Sequence, residues 1–220
     1  MAELVKVSTV EKANYDLVID YLLTFRCNYD CSYCISHDVN HPPLMRSANE
    51  IIDALTFIFK HYPNKKIKLG ILGGEPFVYK SFTNLVNELS NYNFLQVNIV
   101  TNLSVTEKTL QKLKVCNNIR ISASYHPEFS DSKDFVKKIR YLQNKGFKTF
   151  CSVSMHPDEK YLKNSLYVLE NLTGDLHPNF LSSMEEPNVN VFGKSYDYSE
   201  KIKASVKKYD NRVPKYYLEY

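Results

Sequence analysis

Cys27-Asn28-Tyr29-Asp30-Cys31-Ser32-Tyr33-Cys34 sets three cysteines at spacings of four and three. It directly follows an apolar run, Leu17 to Phe25, that reads as a strand. Three thiolates can hold three irons of a [4Fe–4S] cluster and leave the fourth iron open, whereas a structural metal site is normally closed by a fourth ligand. Joined by a histidine such as His37 or His41, the same cysteines also describe a zinc site. Disulfide partners or core thiols are the remaining readings.

The chain of 220 residues suits one α/β domain, and its 44% hydrophobic content is enough for a sizeable core. No stretch approaches the ~18 apolar residues that mark a transmembrane helix. Met1 to Val10 lacks the apolar centre of a signal peptide. A cytoplasmic, reducing setting without membrane attachment is therefore expected, and it suits open thiolates. Five cysteines, three of them clustered, do not make a disulfide framework. The net charge of +4 does not argue for nucleic acid. The chain is rich in Asn, Lys, Ile and Tyr and lacks Trp, as an AT-rich coding sequence would produce, and solvated lysines account for its basicity.

Outward from the cysteines, strand and helix alternate. Residues 1–16 form a lead-in. Strands are expected at Leu17–Phe25, Ile67–Leu72, Leu95–Val100, Ile119–Ser124 and Lys148–Ser154, with a weaker sixth near Asn179–Ser183. Helices are expected at Ala48–Tyr62, capped by Ser47 with Glu50 in a capping box, and at Ser81–Ser90. Three more follow: from Thr106 to about Val115, from Ser132 to Gly146, and Asp158–Leu172. Such alternation with short connections means a parallel sheet with right-handed crossovers. Five or six units can curl into a partial or full barrel, whose functional residues gather at the C-terminal ends of the strands. The unusual residues of this chain fall there: the cysteine loop, Gly73-Gly74-Glu75-Pro76, Thr101-Asn102, Ser124 to Glu128, and Ser154 to Asp158.

In Gly73-Gly74-Glu75-Pro76 two glycines permit close backbone approach or positive φ, and the glutamate can accept from an ammonium group. A Gly-Gly turn after a strand also has an ordinary structural reading. The cysteine motif after a first strand and this motif after a second resemble the radical S-adenosylmethionine superfamily, over about Leu17 to Leu172. The resemblance implies an α/β fold, a parallel-sheet partial (β/α)6 barrel with a core at 17–183 and a short C-terminal extension at 184–220. It implies an enzyme with a [4Fe–4S] cluster and S-adenosyl-L-methionine as cofactors. Electrons would come from a donor of flavodoxin or ferredoxin type, and cleavage of the sulfonium C5′–S bond would give a 5′-deoxyadenosyl radical that abstracts hydrogen from a substrate. By the same resemblance Cys27, Cys31 and Cys34 would ligate the cluster, and Tyr33 would lie against the adenine. Gly73, Gly74, Glu75 and Pro76 would hold the methionyl ammonium, and Thr101 and Asn102 would lie near the ribose or carboxylate.

Strand alternation adds an independent argument. Ile119, Ile121 and Ala123 form one set, expected to face the helices. Arg120, Ser122, Ser124 and His126 form the other, expected to face the barrel interior, where Ser122 and Ser124 suit the polar groups of a cofactor or serve as small packing residues. Ser152 stands likewise on the fifth strand. His126-Pro127-Glu128 and His156-Pro157-Asp158 echo each other. Pro and an acid suit a helix start, and the imidazoles suit acid/base work. The candidate catalytic set is His126, Tyr125 and His156. Cys116 and Cys151 read as structural thiols and are too few for a second four-thiolate cluster.

From Lys201 to Lys215 six Lys/Arg stand against one Asp. They are interleaved with or flanked by Tyr196, Tyr198, Tyr209, Tyr216, Tyr217 and Tyr220. Stacking rings and cations suit a nucleotide or other anion, so residues 184–220 are expected to cover the substrate side, with Lys207 and Lys208 as charge contacts; a solvated helix and tail is the plain alternative. A peptide or a small metabolite are the other substrate readings, and a non-catalytic zinc module is the rival from another class.

Overall fold

The computed structural model describes residues 15–34, 46–181, 185–186, 189–190 and 199–209. The sequence motifs resolve into strands β1 (Leu17–Thr24), β2 (Ile67–Gly73), β3 (Leu95–Thr101), β4 (Ile119–Tyr125), β5 (Lys148–Met155) and β6 (Asp175–Phe180). They form one sheet in the order β1-β2-β3-β4-β5-β6, with every neighbouring pair parallel. The crossovers carry helices α1 (Ala48–His61), α2 (Phe82–Leu89), α3 (Glu107–Leu110), α4 (Ser132–Asn144) and α5 (Glu159–Asn171). A short ribbon follows, β7 (Glu185–Glu186) with β8 (Val189–Asn190), then helix α6 (Glu200–Lys207). The sheet is open, and the architecture is the expected α/β partial barrel.

Burial follows the strand period. Ile67, Leu69, Ile71, Val97, Ile99, Ile119, Ile121, Ala123 and Val153 are buried in a core shared with α1, α2, α4 and α5. The alternate residues of β3, β4 and β5, among them Asn98, Ser122, Ser124 and Ser152, are half-buried on the other, concave face. On that face Arg120 reaches Asp175 at 3.0 Å and lies over the Phe150 ring, linking β4, β5 and β6. The helix starts are capped as their sequences dictate: Ser47 with the reciprocal Glu50 bond on α1, Asp131 on α4 and Asp158 on α5.

Two expectations about elements are corrected. The third helix ends at Leu110, not near Val115, because Asn87 on α2 captures the chain beyond it. Its amide donates to the Lys112 carbonyl and accepts from the Lys114 N–H, both at 2.8 Å, which holds that segment out of the helix. The sixth strand begins at Asp175, four residues before Asn179. Gly174 (φ +103) turns the chain sharply after α5 and pairing with β5 starts at once. Pro178 is tolerated because β6 is an edge strand.

Residues 35–45 lie outside the described residues, so His37 and His41 are not placed. In the C-terminal segment Val206 of α6 is 1% exposed and belongs to the main core, with Ile202 and Tyr209 packed against it. The helix is docked, which argues against a wholly solvated tail. Lys208 sets its ammonium over the Tyr209 ring at 4.7 Å. The side chain of Lys207, and Tyr196, Tyr198, Tyr216, Tyr217 and Tyr220, lie outside the described residues. No described helix is long and apolar enough to cross a membrane.

Gly74 ties the first two strand ends together. A Cβ there would come within 2.3 Å of the Arg26 carbonyl oxygen and 2.8 Å of that of Phe25. Both are backbone atoms that cannot swing aside. Gly74→Ala is therefore expected to destabilise the fold at the upper end of the roughly 1–3 kcal/mol typical of overpacking, read as a lower urea midpoint.

Candidate active site

The cysteine loop leaves β1 at Thr24. Cys27 is exposed, Cys34 half-buried and Cys31 buried, and all three are free thiols. The Cys34 N–H closes a turn onto the Cys31 carbonyl at 2.9 Å. Burial, then the Glu128 carboxylate, push the Cys31 thiol up to about 12, so a cation must supply the charge that makes it a thiolate. Among the described residues no group of three His, Cys, Asp or Glu side chains closes around a single ion. Three free thiols on one loop are a donor set that suits three irons of a four-iron cluster.

The loop is fastened from β2. Gly74 and Glu75 donate their backbone N–H to the carbonyls of Thr24 (2.7 Å) and Arg26 (2.9 Å). At Gly73 (φ +151) a Cβ would lie 2.2 Å from the Thr24 carbonyl oxygen. The two glycines are thus required by the approach of the cysteine loop itself. Glu75 is fully buried and accepts from the Phe77 N–H at 3.0 Å, the Thr101 hydroxyl at 2.7 Å and the Asn102 N–H at 2.6 Å. Burial raises its pKa against these three donors. The sequence reading gave this carboxylate to an incoming ammonium; in the structure the chain's own donors occupy it and it has no exposed surface. Pro76 opens the 3₁₀ turn beside it. Thr101 and Asn102, expected near ribose or carboxylate, bond to Glu75, and Asn102 also to the cysteine loop. The Asn102 amide reaches Asn28 Oδ1 and the Cys27 sulfur.

The far side of the loop is fastened from β4 and β5. Glu128 accepts from the Ser32 N–H at 2.7 Å and from the Ser32 hydroxyl, and stands 3.4 Å from His156 Nε2. The Tyr33 hydroxyl and His126 Nδ1 lie 3.1 Å apart, Tyr29 stacks on Phe129, and Ser130 donates to the Tyr29 hydroxyl. Burial raises the Tyr33 phenol and lowers His126 to about 4, so His126 is a neutral imidazole near pH 7. The His-Pro-acid echo therefore splits. Asp158 caps α5, while Glu128 holds the cysteine turn, a role that sequence reasoning missed.

Ser122 donates to Asn98 at 2.7 Å on the concave face. Ser124, Ser152 and His177 are register partners across β4, β5 and β6, which makes one polar row open to the interior. Asn98 and His177 had not been singled out; strand alternation from Ser122 and Ser152 would have found them once pairing was known. Tyr125 is removed from the catalytic set. It is fully buried on the helix side, edge-on to Phe135, with its hydroxyl on the Ser130 carbonyl. Cys151 is buried in the core, as a structural thiol should be, and Cys116 is half-buried with its thiol on the Lys114 carbonyl.

The family model described as "Radical SAM superfamily" matches residues 21–161, and the chain belongs to that superfamily. It is accordingly an enzyme, and its cofactors are a [4Fe–4S] cluster and S-adenosylmethionine. Among curated proteins it is similar to a GTP 3′,8-cyclase of Campylobacter fetus, 30% identical over 150 residues, which cover 64% of this chain and 45% of the relative. A GTP 3′,8-cyclase of Hydrogenovibrio crunogenus is 32% identical over 111 residues, 48% of this chain and 34% of the relative. The chain thus spans less than half the length of these relatives. Among solved structures, Streptococcus suis SuiB bound to S-adenosylmethionine superposes with a TM-score of 0.60 at 17% identity, over 88% of this chain and 47% of that one. An anSMEcpe structure with bound AdoMet does so with 0.59 at 16%, over 84% and 54%. These two share the fold.

Two expectations follow from the geometry. Glu75→Gln places an NH₂ where an N–H or hydroxyl now donates, so it should cost about 1–3 kcal/mol, the penalty of a buried unsatisfied donor, seen in urea unfolding. His126 has its folded pKa below the ordinary 6.5. The neutral form is thus favoured by the fold, and its contribution is intact above pH 6.5 and lost as pH falls toward 4. Wild type should lose up to about 3 kcal/mol more than His126→Gln across that window, measured by unfolding at each pH.

Proposed function

We propose that this chain binds its cluster through Cys27, Cys31 and Cys34, and acts on a nucleotide-like substrate. The observation that carries the substrate class is that its curated relatives are named GTP 3′,8-cyclases. When bound, the cluster and S-adenosylmethionine supply reductive C5′–S cleavage and a 5′-deoxyadenosyl radical. The protein supplies orientation and exclusion of water. The three thiols would hold three irons and would leave the fourth to the cofactor. Gly73 to Pro76 and Tyr33 are the residues that would hold the cofactor's methionyl ammonium and adenine. Ser124 and Ser152 offer hydroxyls on the concave face for ribose and carboxylate oxygens, and Ser122, whose proton goes to Asn98, can accept from a ribose hydroxyl. Neutral His126, beside Tyr33, lacks the acidic imidazolium proton near pH 7 and serves as a hydrogen-bonding group through its one N–H and one ring acceptor; His156, facing Glu128, remains the candidate for proton transfer. A flavodoxin- or ferredoxin-type protein delivers the electron. Docking of α6 on the core supports a C-terminal segment, residues 184–220, that belongs to the working enzyme.

With the reconstituted protein, S-adenosylmethionine and a strong reductant, GTP or a related nucleotide should raise 5′-deoxyadenosine release above the substrate-free rate. Deuterium from labelled nucleotide should appear in the product. A background rate unmoved by nucleotides but raised by a peptide or amino acid would overturn the nucleotide assignment and leave the cluster chemistry standing.

A further inference from the structure

Asn102 is 5% exposed and anchored at both backbone and side chain. Its N–H donates to Glu75 at 2.6 Å. Its side-chain Oδ1 accepts the Ser104 N–H at 2.9 Å. That bond fixes the amide orientation, since a flipped amide would set two donors face to face. Nδ2 is therefore turned to the cysteine loop, where it stands 3.1 Å from Asn28 Oδ1 and 3.8 Å from Cys27 Sγ. Its two protons thus meet one oxygen and one sulfur. The Tyr29 N–H reaches the same sulfur at 3.4 Å. Two N–H donors converge on Cys27.

We infer that Asn102 is a positioning residue that sets the reduction potential of the cluster through an N–H···S bond to Cys27. An N–H aimed at a ligating thiolate draws off negative charge and favours the reduced, more negative cluster, so it raises the potential. The step concerned is a one-electron transfer from the external donor to the oxidised cluster: the donor is oxidised, the cluster reduced, and no bond or proton moves. The Glu75 carboxylate belongs to the same device, because it holds the backbone from which the amide projects. The Asn of the third-strand motif thereby acts on the cluster ligand. The inference rests on Cys27 being a cluster ligand.

The test is an anaerobic redox titration of the reconstituted full chain without substrate, followed by the EPR signal of the reduced cluster. Asn102→Ala should shift the reduction equilibrium about tenfold toward the oxidised form, ~59 mV lower for one electron. Ser104→Ala, which removes only a hydroxyl bond to Asn28, should keep the wild-type potential. Asn102→Ala at the wild-type potential with a full complement of iron overturns the inference. Should that variant not assemble a cluster, pulsed EPR of the wild type labelled with side-chain ¹⁵N-asparagine decides. A hyperfine coupling to the amide nitrogen is expected, Asn28 turning its oxygen to this site, and a spectrum without one overturns the inference. A wild-type chain that holds no four-iron cluster overturns it together with the assignment of Cys27, whereas the other two adverse results leave that assignment intact.

Discussion

A buried carboxylate with three donors organises the rim of this sheet. Glu75 has no exposed surface and takes a hydrogen bond from each of Phe77, Thr101 and Asn102. A carboxylate cannot be stripped of water without such partners, and the partners come from the ends of two strands. Its own N–H reaches the loop after a third. Supplying those donors thus requires β1, β2 and β3 to end at matched heights. The cysteine loop inherits its position from that requirement, and the closeness of that loop in turn demands glycine at 73 and 74.

The other anchor is long-range and independent. Glu128 joins Ser32 in the cysteine turn to His156 at the end of β5, while Tyr33 meets His126. The loop is therefore held along both flanks, by the β2 and β3 ends on one side and the β4 and β5 ends on the other. Two separate sets of contacts thus hold the thiols from opposite sides.

Much of this was legible in the sequence, and the boundary has physical causes. Strand positions followed from alternation and helix starts from Ser47 and Asp158, because those signals are local. The buried fate of Tyr125 was also legible, since Ile119, Ile121, Ala123 and Tyr125 share one face of β4; its place beside His126 drew attention to the wrong side of the strand. The early end of α3 was hidden because its cause, Asn87, sits on another helix. The start of β6 was hidden because Asp-Leu-His-Pro-Asn-Phe carries little apolar pattern. The motif Gly73 to Pro76 announced itself, but not that its glutamate faces inward, which depends on donors 26 and 27 residues away. Glu128 could not be tied to Ser32 from a separation of 96 residues.

The central claim is that three thiols on a doubly fastened loop hold a four-iron cluster with one iron left open. EPR of the reduced, anaerobically reconstituted protein, with and without S-adenosylmethionine, tests it most directly. The account predicts about four irons per chain, a cluster lost when Cys27, Cys31 or Cys34 is replaced by Ala, and a spectrum that changes when the cofactor binds. A spectrum indifferent to the cofactor, or stoichiometric zinc in place of iron, would contradict it.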